Sequence, residues 1–188
     1  AKEPKTPSMS AIQQAAEINS NTDLGVSEVL EVEVVATIDK ATQAISQKEF
    51  AAALSLLLPL LSEHSRNEEI LYLVAVAQRY LGDTGSALAT LTTLLACAPN
   101  HGRAYQEEGH NHRVLGDAET ALRAYGWACH YNPALEASYK GQLQMLRQLD
   151  RPQLHEQVSA QLNQLLSQPK PLAAVVDLIS QGKLIKAE

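Results

Sequence analysis

Apolar residues recur along the chain at the three- and four-residue spacing of amphipathic helices, in segments set apart by short polar punctuation. Ser27 offers an N-cap for a helix running to about Gln47, and a partner helix spans about 50–63 with Pro59 inside it. Proline removes a helical hydrogen bond and clashes one turn back, so Pro59 either kinks that helix or marks its last turns. Further pairs are predicted at 68–81 with 84–97, 102–115 with 118–131, and 136–149 with 152–167. Upstream, residues 1–10 are polar and read as disordered, 11–19 suit a short helix, and Asn19 to Gly25 reads as a loop.

The punctuation is itself periodic. Gly82-Asp83 returns as Gly116-Asp117, Ala87-Leu88 as Ala121-Leu122 and Pro99 as Pro133, always at one constant step (116 − 82 = 121 − 87 = 133 − 99 = 34). Arg79, Arg113 and Arg147 keep the same step, and so do Leu81, Leu115 and Leu149. Each element has a physical task. Gly82 and Gly116 take the left-handed conformation that ends a helix. Asp83 and Asp117, or Thr84 beside the former, cap the next one, and Pro99 and Pro133 stop it. A lone pair of helices cannot bury its apolar face, so neighbouring pairs must stack.

The period and these residue types resemble the tetratricopeptide repeat. Tyr105, Gly109, Ala121, Tyr125, Ala128 and Pro133 give the fullest pattern; Leu71, Ala75, Gly82, Ala87, Leu91 and Pro99 give the preceding unit. Phe50, Ala53 and Leu57 keep the register earlier, and Tyr139 keeps it later, where His155 stands in place of a small residue. The resemblance implies an all-α, right-handed superhelix of about four hairpins plus a truncated fifth. The expected layout is an N-terminal segment at 1–26 and repeats at about 34–67, 68–101, 102–135 and 136–168. A further unit begins at 169–188, with Leu172 to Gln181 as its first helix and Gly182 at its turn. The chain ends inside that unit, so a longer protein is expected, and Leu172, Val175, Val176 and Ile179 are expected to be covered by a second copy. The stretch LISQGKLIKAE and the linker-like Gln168 to Pro171 resemble the repeat region that precedes a sulfotransferase domain in bacterial proteins. That resemblance implies a non-catalytic arm that recruits an acceptor or dimerises an enzyme.

Composition agrees with helices. Hydrophobic residues make up 45% but aromatics only 4%, so the core is built from Leu, Ala, Val and Ile. The formal charge of −6 is concentrated at the start: residues 1–33 carry −4 and residues 34–188 carry −2. A nearly neutral body has no general pull on nucleic acid. No apolar run reaches the roughly 20 residues of a membrane span, and no signal peptide is evident, so a cytoplasmic protein is expected. Cys97 and Cys129, alone and 32 apart, read as buried reduced thiols.

The chemistry the sequence offers is recognition. No metal, cofactor or catalytic motif is found, and His110-Asn111-His112 places its imidazoles about 200° apart around a helix. Glu68-Glu69 and Glu107-Glu108 read as acids at helix starts, His112 as a packed core residue, and Trp127 with Tyr131 as packing between repeats. By the resemblance, first helices line a concave groove whose wall includes Tyr72, Arg79, Tyr80, Gln106, His110, Arg113, Lys140, Gln144 and Arg147. The arginines suit two-pronged contacts to carboxylates of an acidic peptide or a partner's helix; alternatively they pair with acids of the chain itself. The family's Lys/Asn/Arg clamp for a C-terminal carboxylate is absent, since its positions hold Ile38, Thr42, Tyr72 and Val76.

Overall fold

The computed structural model describes residues 31–169, and these form helices joined by tight turns. Helix α1 occupies 31–46. It is followed by α2 (Phe50–Glu63), α3 (Glu68–Tyr80), α4 (Thr84–Cys97), α5 (Gly102–Val114), α6 (Ala118–Tyr131), α7 (Glu136–Gln148) and α8 (Pro152–Ser167). Odd and even helices pair as four hairpins among the described residues. The starts of α3, α5 and α7 (Glu68, Gly102, Glu136) and of α4, α6 and α8 (Thr84, Ala118, Pro152) advance by the constant step seen in the sequence. The expectations for residues 1–26, the Ser27 cap, Leu172 to Gln181, Gly182 and the stretch after it lie outside the described residues.

Local chemistry sets the helix ends. The Asn67 side chain accepts from the N–H groups of Glu69 (3.0 Å) and Ile70 (3.1 Å) at the start of α3. Asp83 accepts from Ser86 N–H and Asp117 from Thr120 N–H, each at 3.1 Å. His101 Nδ1 caps α5 through Ala104 N–H at 3.0 Å, and Pro152 opens α8 at a position where a missing N–H costs nothing. The turns inside the hairpins carry a backbone signature stronger than their sequence: φ is positive at Lys48 (64°), Gly82 (82°), Gly116 (78°) and Asp150 (50°). These positions recur once per repeat, yet only the middle two are glycine. Pro59 lies in the last turns of α2, on its exposed side.

Within each hairpin the crossing is made by small residues. Ala53, Ala87 and Ala121 are wholly buried and let paired backbones approach. Leu57, Leu91 and Tyr125, one helical turn further on, fill the space between hairpins. Across hairpins α3 packs on α5 and α5 on α7, whereas α4, α6 and α8 make no comparable contact with one another. The odd helices therefore sit on the inner radius of the stack and form one continuous wall.

Both cysteines depart from expectation. Cys97 is exposed, because it ends α4 on the side away from the wall, and Cys129 is half-buried. Burial pushes the Cys129 thiol up to about 12. Trp127 remains 45% exposed; it stacks on Tyr131 and lies tilted beside Tyr105 of its own hairpin, while the Tyr105 hydroxyl donates to the Pro99 carbonyl just after α4 of the preceding one.

Candidate functional site

The inner wall is held together by polar contacts that run from one odd helix to the next. Arg79, in the last turn of α3, reaches Glu107 in the middle of α5: Nε donates to Oε2, and Nη2 lies 3.4 Å from Oε1. Glu107 is only 4% exposed. It is no helix-start acid, since it lies in the second turn of α5 and faces the neighbouring hairpin. Burial lifts its carboxyl above the usual range, while the Arg79 contact pulls the other way. Burial also opposes the charge on Arg79, but Glu107 outweighs it and holds the guanidinium above its ordinary value.

The next tie joins α5 to α7. Ser138 Oγ donates to Gln106 Oε1 at 3.0 Å, and Arg113 reaches Gln144 Oε1 at 3.4 Å. Between these helices rises Tyr125 from α6. Its ring passes between Gly109 and Gly141 (an added Cβ would meet the ring at 2.7 and 2.5 Å), and its hydroxyl lies 2.8 Å from His110 Nδ1. Burial raises the Tyr125 hydroxyl pKa, and the nearby Arg113 charge pulls it the other way. The phenol and the imidazole share one hydrogen bond, its direction set by the His110 tautomer. Burial, reinforced by Arg79 and Arg113, lowers the His110 pKa to about 4, and the imidazole is neutral at pH 7.

The nine residues expected on the wall do not form one uniform surface. Gln106 and His110 are half-buried and fastened to Ser138 and Tyr125. Tyr72 is also half-buried beside His101, and burial pushes its hydroxyl up to about 12. The Tyr80 ring stacks on Phe50 at 4.3 Å, and Arg79 lies over it at 4.1 Å. Lys140 pairs with Glu136 one turn earlier on α7. Arg113, Gln144 and Arg147 are exposed. His112, expected in the core, is half-buried, with Nδ1 3.7 Å from Asp117 Oδ2.

No family model and no curated protein matches the sequence. Solved structures do. A thermophilic TPR protein from Thermus thermophilus, TTC0263, aligns with a TM-score of 0.60 at 24% identity, over 79% of this chain and 83% of that one. The fold is a tetratricopeptide solenoid. Its hairpins also match MamA, with a TM-score of 0.60 at 13% identity over 86% of this chain and 95% of MamA. The MamA RS-1 ArsTM double mutant aligns at 0.62 with 16% identity, covering 69% of this chain and 72% of its own.

On this solenoid, Glu107, Tyr125 and Ser138 are the wall residues that sequence reasoning left out. Tyr125 stands at a position that the repeat pattern assigns to packing, and no periodicity links Arg79 to an acid in the following hairpin. Among the described residues no group of three or more His, Cys, Asp or Glu is placed to hold a metal ion, and no helix is long and apolar enough to cross a membrane.

Proposed function

We propose that the protein is an interaction scaffold whose inner wall receives a peptide or helix of a partner, with Arg113 and Arg147 engaging its carboxylates. The observation that carries this reading is the contrast along the arginine series. Arg79 is closed off by Glu107, while Arg113 and Arg147 remain exposed on α5 and α7. A guanidinium presents a planar fork suited to a carboxylate, and it loses little by exchanging a long contact to a neutral amide for a charged acceptor. Gln144, one turn before Arg147 on α7, can hydrogen-bond a guest's backbone.

The test is affinity capture by the wild type and by Arg113→Ala, Arg147→Ala and the double variant. Loss of the same captured protein from each variant, at unchanged melting temperature, is the expected result. Equal capture by the double variant would remove the arginines from the reading. Capture that survives in about 0.5 M salt, where the Debye length falls below about 5 Å, would also count against a charge-led contact.

A further inference from the structure

The fourth hairpin contains a cavity at a place that the third hairpin fills with its own rings. The cavity measures about 290 Å³ and is bounded by Pro133, Tyr139, Gln161, Gln164, Leu165 and Gln168. It lies where α7 begins and α8 ends, at the opposite end of the hairpin from the Asp150 turn. One repeat earlier in the sequence, Trp127, His130 and Tyr131 stand where Gln161, Gln164 and Leu165 do here, and Tyr105 stands where Tyr139 does. The helices carry these positions in the same register, since α6 and α8 start at Ala118 and Pro152 and α5 and α7 at Gly102 and Glu136.

In the third hairpin those four side chains form one aromatic assembly. Tyr105 stacks on Tyr131 (5.6 Å between centroids, 16° between planes), and Trp127 on Tyr131 (5.8 Å, 19°). His130 meets the edge of Trp127 at 5.6 Å and of Tyr131 at 4.9 Å. The fourth hairpin keeps a single ring, Tyr139, and puts two glutamines and a leucine where the other three would stand. The cavity lies at the positions where that stack is missing.

We propose that this cavity is a binding site for one aromatic side chain, an indole or phenol, presented by a partner peptide. The cavity lies at the small end of ligand pockets, which begin at roughly 300 Å³, so it suits a single ring system rather than a large cofactor. Tyr139, 8% exposed, and Leu165 give an aromatic ring apolar contact. The carboxamides of Gln161, Gln164 and Gln168 offer both donors and acceptors to an indole N–H or a phenol O–H. Among the described residues no charged group lines the cavity, so the site selects shape and hydrogen bonding over charge, unlike the arginine-bearing wall.

The test is a titration of the full chain followed by two-dimensional amide NMR, reading the side-chain NH₂ signals of the three glutamines. N-acetyl-L-tryptophanamide and N-acetyl-L-tyrosinamide should shift them with half-saturation near about 1 mM, as expected of a fragment-sized ligand. N-acetyl-L-leucinamide should be at least about tenfold weaker. The peptide Gly-Gly-Trp-Gly-Gly should bind no less tightly than the tryptophan amide; tenfold weaker binding would overturn a peptide source. Gln161→Trp and, separately, Gln164→Trp place the chain's own ring in the cavity. Both positions are exposed, so the helix signal in circular dichroism should persist. Each variant should weaken the probes at least about tenfold. The proposal is overturned by the absence of probe-induced shifts, by equal binding of the leucine amide, or by undiminished binding to both tryptophan variants. Nuclear Overhauser contacts from the cavity to residues 170–188 in the free protein would overturn it too.

Discussion

Gly109 on α5 and the Tyr125 ring on α6 share one space: a Cβ on the glycine would lie 2.7 Å from two ring carbons. The preceding hairpin solves the same problem differently, with Ala75 and Leu91 one repeat earlier, both buried. Gly109→Ala should therefore destabilise the protein by about 1–3 kcal/mol, despite alanine's better helix propensity. Gly109→Ala combined with Tyr125→Leu should recover part of that loss. Urea denaturation of the two single variants and the double variant measures the coupling.

The Arg79–Glu107 pair should respond as a buried contact does. Glu107→Ala leaves a guanidinium facing apolar surroundings and should cost roughly 2–4 kcal/mol, less than a fully buried pair because Arg79 is partly exposed. Lys140→Ala, which breaks a pair on the open surface, should change stability by less than about 0.5 kcal/mol. Thermal unfolding of both variants side by side checks the ranking.

His110 gives the stability an acid edge. Its pKa is lowered to about 4 in the folded chain from an ordinary 6.5, so between those values the unfolded chain binds the extra proton. Stability should fall as pH drops from 6.5 towards 4, by up to roughly 3 kcal/mol from this group. The loss should be complete below the folded value. In His110→Gln this part of the pH dependence should vanish, as followed by denaturation midpoints across that range.

The turn glycines and Gly126, a helical glycine with open space around it, should respond with opposite signs. Gly82→Ala and Gly116→Ala meet no steric neighbour, but alanine at a positive φ costs about 1 kcal/mol. Gly126 lies inside α6 with nothing near its Cβ direction, and Gly126→Ala should stabilise by about 0.5–1 kcal/mol. Differential scanning of the three variants separates backbone strain from packing.

The hairpins were legible because each depends on a local device that repeats in the sequence. Gly82, Gly116, the aspartate caps and the buried alanines each announce a boundary or a crossing. The turns at Lys48 and Asp150 show where that legibility ends. Stacking forces the left-handed backbone there, although the residues themselves do not prefer it. The wall was harder to read than the fold. Repeat position assigned Arg79 to a ladder, but its neighbour is chosen by the angle between hairpins, and that angle brings it to Glu107. Tyr80 likewise takes a neighbour that repeat position does not reveal, Phe50 at the start of α2, while remaining 54% exposed.

The ties Arg79–Glu107, Gln106–Ser138 and Arg113–Gln144 all cross between odd helices on the inside of the bend. They act there as braces on a bow, setting how far successive hairpins open. Replacing a brace with a contact to a guest would let the bow flex at that joint alone, so curvature and occupancy become one variable. A carboxylate that takes Arg113 from Gln144 would relax the α5–α7 joint, while the α3–α5 joint, closed by a buried pair, would keep its set.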